Sequence, residues 1–191
     1  YLKAARELTE ALDILLMIDE VQTGNGRTGK PFSYQWADIT PDVATTAKGL
    51  AGGLPMGACL LGETVKDVLT PGSHGSTFGG NPICAAAGCA VQEILTDEVL
   101  SQVTEKGNYI RTQIEGFGSP AVSGTRGLGL MMGITLKEGY TNSALAGKMV
   151  EEGLLVLTAG QNVIRLLPPL TISREEIDKG LAIMKTVLCN P

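Results

Sequence analysis

Two residues of opposite charge follow two predicted strands. Asp19 comes directly after the apolar segment 14–18, and Lys48 comes directly after a second apolar segment, 43–47. Short segments of this kind are typical of central strands in a sheet that is covered on both faces. Ligands of parallel α/β sheets bind at the carboxyl ends of the strands. The sequence therefore predicts that a carboxylate and an amine meet in one cleft.

The chemistry that uses both groups together is that of pyridoxal phosphate. A lysine amine condenses with the cofactor aldehyde, and a carboxylate keeps the pyridine nitrogen protonated so that the ring can accept electrons. Each residue also has a simpler structural interpretation, which stays open at this point. Asp19 could cap the turn that follows it, and Lys48 could be an ordinary exposed residue at the end of a strand.

The glycine-rich segment after Asp19 matches two nucleotide-binding motifs. Gly24, Gly26 and Gly29 have the spacing of a dinucleotide fingerprint, and the segment 24–30 matches all but the last position of a P-loop. Pro31 stands where a P-loop needs a hydroxyl and the start of a helix, and no helical periodicity follows. We therefore interpret the segment as a turn-rich loop, with a nucleotide-binding ATPase fragment as the disfavoured alternative.

Composition excludes several classes of protein. The chain has 191 residues, of which 43% are hydrophobic, and a net charge of −5 with acidic and basic residues interspersed. This pattern gives no reason to expect nucleic acid or an anionic membrane surface, and no apolar segment is long enough to span a bilayer. The four cysteines form no C-x-x-C pair, which indicates reduced thiols in a cytoplasmic protein and no zinc site. With His74 as the single histidine, we expect no metal.

Predicted helices and strands divide the chain into two parts. The first contains a helix to about residue 12, the strands 14–18, 43–47 and 57–61, and a helix that Asn81 caps and Pro82 begins. The second contains a helix from residue 97, a strand at 128–136, a helix at 142–152, strands at 154–158 and 162–167, and a last helix with the capping box Ser173–Glu176. This order predicts an α/β unit over residues 1–96 and an α+β unit over residues 97–191.

Several motifs resemble those of the class III pyridoxal-phosphate aminotransferases. They are LLMIDEVQTGNGRTGKPFSYQWADITPDVATTAKGLAGGLPMGA, HGSTFGGNP, GLGLMMGI and EGLLVLTAGQNVIRLLPPL, and they cover essentially the whole chain. The resemblance implies part of a fold-type-I large domain, with a mostly parallel sheet and flanking helices, over residues 1–96. It implies the small C-terminal α+β domain of that family over residues 97–191.

The resemblance also implies which residues bind the cofactor. Lys48 corresponds to the catalytic lysine that bonds to pyridoxal 5'-phosphate, and Asp19 to the partner of its pyridine nitrogen. Gln22 matches the residue that hydrogen-bonds the phenolic oxygen, although alone it would be taken for an exposed loop residue. Thr77 matches a threonine that reaches the phosphate from the neighbouring subunit. A glycine-rich loop before a helix suits an anion, but without the resemblance ordinary turn chemistry would be the favoured interpretation.

Two further residues match substrate-binding positions. Ser76 matches a position that contacts substrate, and Arg165 matches the arginine that binds a substrate carboxylate. On a predicted strand, Arg165 shares a face with apolar neighbours, where a guanidinium needs an anionic partner and can hold a carboxylate with two hydrogen bonds. A solvent-facing arginine on an edge strand is the alternative.

The implied activity is transfer of the terminal amino group between N-acetylornithine and 2-oxoglutarate or glutamate, a reaction of arginine biosynthesis. The implied protein is a cytoplasmic homodimer with a shared active site. Succinylornithine, ornithine and 4-aminobutyrate stay open as amino donors. Because family members are about twice as long, we expect this chain to match their carboxyl-terminal half, and a catalytically inert or purely structural fragment stays an alternative.

Overall fold

The computed structural model describes residues 1–191, which divide into two compact units, Tyr1–Leu100 and Ser101–Pro191. It contains five α-helices, seven β-strands and two 3-10 helices. In chain order these are α1 (Leu2–Ala11), β1 (Met17–Asp19), the 3-10 helix Ser33–Ala37, β2 (Val43–Thr46), the 3-10 helix Lys48–Ala51, β3 (Ala58–Leu61), α2 (Pro82–Ile94), α3 (Asp97–Glu115), β4 (Val122–Leu128), β5 (Met131–Leu136), α4 (Asn142–Glu151), β6 (Leu157–Ala159), β7 (Val163–Leu166) and α5 (Arg174–Cys189).

The first unit contains a three-stranded sheet in the order β1-β2-β3. β1 and β2 are parallel, with Asp19 opposite Thr45. β3 runs antiparallel to β2, with Ala58 opposite Thr46. The helices and strands confirm the predicted α/β class, and the sheet of this unit is mixed.

The first predicted strand is shorter and more exposed than its composition indicates. β1 begins at Met17 rather than at Ile14, and these two side chains are 66% and 54% exposed. The expectation of a strand covered on both faces is therefore wrong for β1 within this chain. Just before the strand, the Leu16 N–H donates to the Asp42 carboxylate at 2.8 Å instead of to a neighbouring strand. Leu16 therefore joins the backbone ladder only through its carbonyl, which accepts from the Val43 amide at 3.2 Å.

Asp42 connects three parts of the first unit. Besides the Leu16 amide, its carboxylate accepts hydrogen bonds from Arg6 Nη1 at 2.9 Å and from Thr64 Oγ1 at 3.1 Å. The Leu16 amide, assisted by Arg6 and Thr64, lowers the pKa of Asp42 below its ordinary value, against the opposing effect of burial. A pKa that is lower in the folded than in the unfolded state stabilises the fold above the unfolded pKa. This stabilisation is lost as pH falls through the folded value.

We expect Asp42→Asn to lower the free energy of unfolding at pH 7 by about 1–2 kcal/mol, because the charged acceptor of three hydrogen bonds becomes neutral. The difference from wild type should shrink as pH falls below about 4, where the unfolded carboxyl is protonated. Urea unfolding between pH 7 and pH 3 measures both quantities. Glu63→Gln, at a carboxylate with a side chain 88% exposed, is the control and should change little. An equal loss for Asp42→Asn at pH 7 and pH 3 would contradict the assignment.

The second unit is an antiparallel sheet with helices packed on it. Its strand order is β4-β5-β7-β6. Apolar residues at helical spacing, such as Ile177, Leu181, Met184 and Leu188, give α5 one buried face. They share a core with side chains from α3, α4 and the strands, including Val103, Ile110, Ile114, Leu130, Ile134, Met149 and Ile164. This core depends on sheet and helices together, as the predicted α+β arrangement requires.

The segment predicted as one strand at 128–136 contains the end of β4, a turn and β5, which together form the second half of a hairpin. β4 ends at Leu128, β5 begins at Met131, and these two residues are paired. Gly127 has φ of +119°, and a Cβ there would lie 2.0 Å from the Met131 carbonyl oxygen, so the turn requires glycine. The prediction missed β4 because its sequence VSGTRGL contains two glycines and no alternation of apolar and polar residues.

The helix starts follow the predicted capping residues. The Asn81 side chain accepts hydrogen bonds from the Ile83 and Cys84 amides at the start of α2. At the start of α5, Ser173 accepts from the Glu176 amide, and the Glu176 carboxylate accepts from the Ser173 amide. These contacts confirm both predicted caps. None of the helices has the length and apolar character required to cross a membrane.

Candidate functional site

The structure brings Asp19 and Lys48 to the same edge of the first sheet. Asp19 is the last residue of β1, and Lys48 lies two residues beyond the end of β2. Because the two strands are parallel and Asp19 is opposite Thr45, both residues follow carboxyl ends of neighbouring strands. Both are exposed. This arrangement suits a ligand that has one basic nitrogen and one aldehyde. The exposed acid can pair with the nitrogen, and the exposed amine can react with the aldehyde.

Asp19 has a fixed orientation. The Val21 N–H donates to Asp19 Oδ1 at 2.9 Å, so the carboxylate also caps the turn that follows β1. The structural interpretation of Asp19 is therefore correct, and it is compatible with a second role. Because one oxygen of the carboxylate is hydrogen-bonded, the direction of the second oxygen is also defined.

Lys48 has an unusual backbone conformation. Its φ is +50°, in the left-handed region that residues with a side chain seldom adopt. It begins the 3-10 helix Lys48–Ala51, in which the Leu50 amide donates to the Ala47 carbonyl at 3.1 Å and both Leu50 and Ala51 are buried. Conformations of this kind persist where surrounding contacts impose them, and they are common at functional sites.

Helix α2 packs closely against the turn that begins with Lys48. A Cβ at Gly88 would lie 3.1 Å from Met56 Sδ and 3.6 Å from the Leu50 carbonyl oxygen. A Cβ at Gly52 would meet the Val91 side chain at 3.4 Å. The small residues of α2 thus allow the helix to approach the backbone that carries the lysine.

Glu20 holds the glycine-rich loop in place, a role that the sequence alone did not indicate. Its side chain is fully buried, and its carboxylate accepts hydrogen bonds from Ser33 Oγ at 2.6 Å, the Tyr34 amide at 2.9 Å and Thr23 Oγ1 at 2.5 Å. Burial, and then the negative charge of Glu20, raise the pKa of Tyr34. The sequence feature that could have indicated this role of Glu20 is a carboxylate close to hydroxyl residues in an otherwise glycine-rich loop.

The loop lacks the structure of a nucleotide-binding site. After Gly29 the chain forms only the short 3-10 helix Ser33–Ala37, whereas both nucleotide motifs require a full helix there. Lys30 Nζ lies 5.4 Å from the centre of the Trp36 ring. The interpretation of the segment as a turn-rich loop is confirmed, although the loop is buried and hydrogen-bonded rather than loose.

Asn25 joins this loop to the end of β2 and was also missed. It is buried, has φ of +53°, and donates from Nδ2 to Thr46 Oγ1 at 2.9 Å and to the Ala47 carbonyl at 3.1 Å. Gln92 Nε2 on α2 lies 3.5 Å from Asn25 Oδ1. Asparagine between glycines looks like a simple turn residue, so the sequence held no signal for this contact.

Three other predicted site residues lie on exposed parts of the first unit. Gln22 is exposed in the turn after β1. Ser76 and Thr77 lie in an exposed segment before α2, where the Gly79 amide donates to the Ser76 carbonyl at 3.2 Å. The segment leads through the cap Asn81 into α2. The roles of these three residues in binding cofactor or substrate stay predictions.

Arg165 belongs to the second unit. It lies on β7, half-buried, opposite Gly133 on β5 and Leu157 on β6. It lines a mainly apolar cleft of about 440 Å³ with Val156, Pro168 and other residues of that unit. A guanidinium beside an apolar cleft suits a ligand with a carboxylate, and this role also stays a prediction. No group of acidic, histidine or cysteine side chains is arranged to hold a metal ion.

The chain belongs to the class III aminotransferase family. The family described as "Aminotransferase class-III" matches residues 1–188, nearly the whole chain.

Within that family the chain is similar to acetylornithine aminotransferases. It is 48% identical over 189 residues to the acetylornithine aminotransferase of Mycobacterium tuberculosis, covering 98% of this chain and 47% of that protein. The crystal structure of acetylornithine aminotransferase from Elizabethkingia anophelis matches with a TM-score of 0.90 and 34% identity, over 100% of this chain and 49% of that one.

Ornithine aminotransferases have a similar structure. That of Toxoplasma gondii matches with a TM-score of 0.91 and 31% identity, over 100% of this chain and 46% of that one, and its description reports partial occupancy of PLP at the active site. The chain thus spans about half the length of the curated relatives and solved structures it matches.

Proposed function

We propose that the chain supplies the lysine and the acidic part of a pyridoxal 5'-phosphate site in an aminotransferase. The observation that carries this proposal is the position of Asp19 and Lys48 at the carboxyl ends of the parallel strands β1 and β2. The family match and the names of the similar proteins support it. We propose that residues 1–96 form the carboxyl-terminal part of the family's large domain and residues 97–191 its small domain, a boundary four residues before the one between the two compact units.

The residues of the site fit this cofactor. When bound, it supplies an aldehyde for an amine and a protonated ring that accepts electrons. Asp19, whose Oδ1 accepts from the Val21 amide, would pair its carboxylate with the ring nitrogen. Lys48 holds the cofactor and then moves a proton as general base and acid. Gln22 and Thr77 bind the phenolic oxygen and the phosphate, and Thr77 does so across a homodimer interface.

For the substrate we propose the terminal amino group of N-acetylornithine, transferred to 2-oxoglutarate in arginine biosynthesis. Ser76 contacts the substrate, and Arg165 binds a substrate carboxylate with its planar guanidinium. We further propose a cytoplasmic homodimer. Ornithine is the second candidate donor, because ornithine aminotransferases match with TM-scores near those of acetylornithine aminotransferases. Succinylornithine and 4-aminobutyrate are the remaining donors, and an inert fragment is the alternative to an active chain.

The test uses the full-length protein with pyridoxal phosphate. Borohydride reduction followed by peptide mass spectrometry should locate the cofactor on Lys48. With 2-oxoglutarate as acceptor, kcat/KM should be highest for N-acetylornithine among the four candidate donors. Attachment to another lysine, or to none, would refute the assignment of the site. A higher kcat/KM for ornithine would refute only the proposed donor.

Asp19→Asn should lower kcat by about a hundredfold, because a neutral amide no longer stabilises the protonated ring nitrogen. The asparagine oxygen can still accept the hydrogen bond from the Val21 amide, so the fold should be preserved. Steady-state kinetics and thermal unfolding of the full-length variant measure the two effects. Asp67→Asn, at an exposed acid of the same unit, is the control and should leave kcat unchanged. A kcat for Asp19→Asn within twofold of wild type would contradict the role of this carboxylate.

A further inference from the structure

We infer that Asn25 is a positioning residue for Lys48. Its side-chain amide holds the backbone directly before the lysine, and so determines the direction in which the lysine leaves the sheet. This inference rests on the proposed function of Lys48. The inference also assigns a role in the Lys48 site to the glycine-rich loop. This loop matches nucleotide-binding motifs by spacing alone.

The contacts of Asn25 are directed at the peptide group that Lys48 shares with Ala47. Asn25 Nδ2 donates to the Ala47 carbonyl at 3.1 Å and to Thr46 Oγ1 at 2.9 Å, so both amide hydrogens have an acceptor. The Ala47 carbonyl and the Lys48 nitrogen belong to one planar unit. Hydrogen bonds to this carbonyl from Asn25 and from the Leu50 amide therefore fix the orientation of the peptide plane that precedes Lys48, whose φ is +50°.

The backbone of Asn25 is also held in place. Its backbone has φ of +53°, a conformation that asparagine tolerates better than most residues. The preceding Gly24 amide donates to the Glu20 carbonyl at 2.9 Å, and a Cβ at Gly24 would lie only 2.8 Å from that oxygen. Glu20 is in turn buried with three donors. The amide of Asn25 is thus presented from a fixed loop.

The same loop provides a comparison that separates positioning from general stability. Ser33 Oγ donates to Glu20 Oε1 at 2.6 Å, and this hydrogen bond does not involve residues 46–48. Ser33→Ala therefore loosens the loop but leaves the hydrogen bonds of Asn25 to Thr46 and Ala47 intact. If Asn25 only stabilised the loop, substitution of either residue would affect Lys48 in proportion to the loss of stability.

The test compares Asn25→Gly, Asn25→Asp and Ser33→Ala in the full-length protein. Glycine keeps the left-handed backbone and removes both donors. Aspartate keeps the shape but cannot donate to the Ala47 carbonyl when ionised. Two quantities are measured: the rate at which added pyridoxal phosphate becomes borohydride-trappable on Lys48, and the separate changes in kcat and KM. Thermal unfolding of each variant measures its stability.

We expect both Asn25 variants to attach the cofactor about tenfold more slowly than wild type, the effect expected from losing a hydrogen bond that positions a reacting group. kcat should also fall in both Asn25 variants, with KM changed by less than about threefold, because Lys48 moves a proton and does not bind substrate. Ser33→Ala should attach the cofactor within twofold of wild type even where its melting temperature falls equally. Wild-type attachment rates in both Asn25 variants, or equal slowing in Ser33→Ala, would overturn the inference. Attachment of wild type at a residue other than Lys48 would instead refute the proposed function itself.

Discussion

Lys48→Ala is expected to abolish the covalent attachment of pyridoxal phosphate and to lower kcat by at least about a thousandfold, as removal of a reacting side chain does in other enzymes. Alanine has no amine to hold the cofactor or to move a proton. Leu50 and Ala51 of the same turn are buried, whereas Lys48 is exposed, so the fold should be preserved. Borohydride trapping with mass spectrometry and a glutamate assay on the full-length protein measure the two losses.

Lys30→Ala is the matched control for this substitution. Lys30 is an exposed lysine of the glycine-rich loop, and its amine lies over the Trp36 ring. Its removal should leave attachment and kcat near wild type. If Lys30→Ala were as damaging as Lys48→Ala, or if Lys48→Ala still trapped cofactor on the protein, the lysine would have been assigned wrongly. Magnesium-dependent binding of ATP that disappears in Lys30→Ala would instead support the nucleotide-binding alternative.

Gly107→Ala should destabilise the second unit by about 3 kcal/mol, at the upper end of overpacking effects. Gly107 is a buried residue in the middle of α3, and a Cβ there would lie 2.1 Å from the Gly129 carbonyl oxygen and 2.6 Å from its carbonyl carbon. Both atoms belong to the backbone of the turn between β4 and β5, so no side chain can rotate away. The clash exceeds the roughly 1 kcal/mol that alanine gains over glycine in a helix. Urea unfolding measures the change.

Gly147→Ala is the opposite case in the same unit. Gly147 lies in α4, is exposed, and a Cβ there would meet nothing within 4 Å. Helix propensity alone should then stabilise the protein, by up to about 1 kcal/mol. Changes of the same sign in Gly107→Ala and Gly147→Ala would show that the close approach of α3 to the hairpin does not control stability.

Elements with a strong local signal could be predicted from the sequence. The caps Asn81 and Ser173 and the periodic α5 were correct because their determinants lie within a few residues of each other. The hairpin strand β4 and the late start of β1 were missed. β4 depends on pairing with β5, and β1 begins where a side chain distant in sequence, Asp42, takes the Leu16 amide. Neither effect is visible in a local pattern.

The same distinction applies to the candidate site. Asp19 and Lys48 were predicted from their positions after apolar segments, and the structure brings them to one edge of the sheet. Glu20 and Asn25 were not, because their importance comes from burial and from partners up to 67 residues away in the chain. The sequence shows which functional groups these side chains carry, but not which residues surround them in the fold.

The antiparallel strand β3 has a consequence for the freedom of the lysine. Because Ala58 is opposite Thr46, the segment 47–57 that contains Lys48 is a short loop closed at both ends by the sheet. Closing such a loop costs conformational entropy once, during folding. The main chain before the amine is then already ordered when a ligand arrives, and only the rotations within the lysine side chain remain to be restricted. Most of the conformational entropy that must be lost to align this amine with a ligand would therefore be lost before the reaction begins.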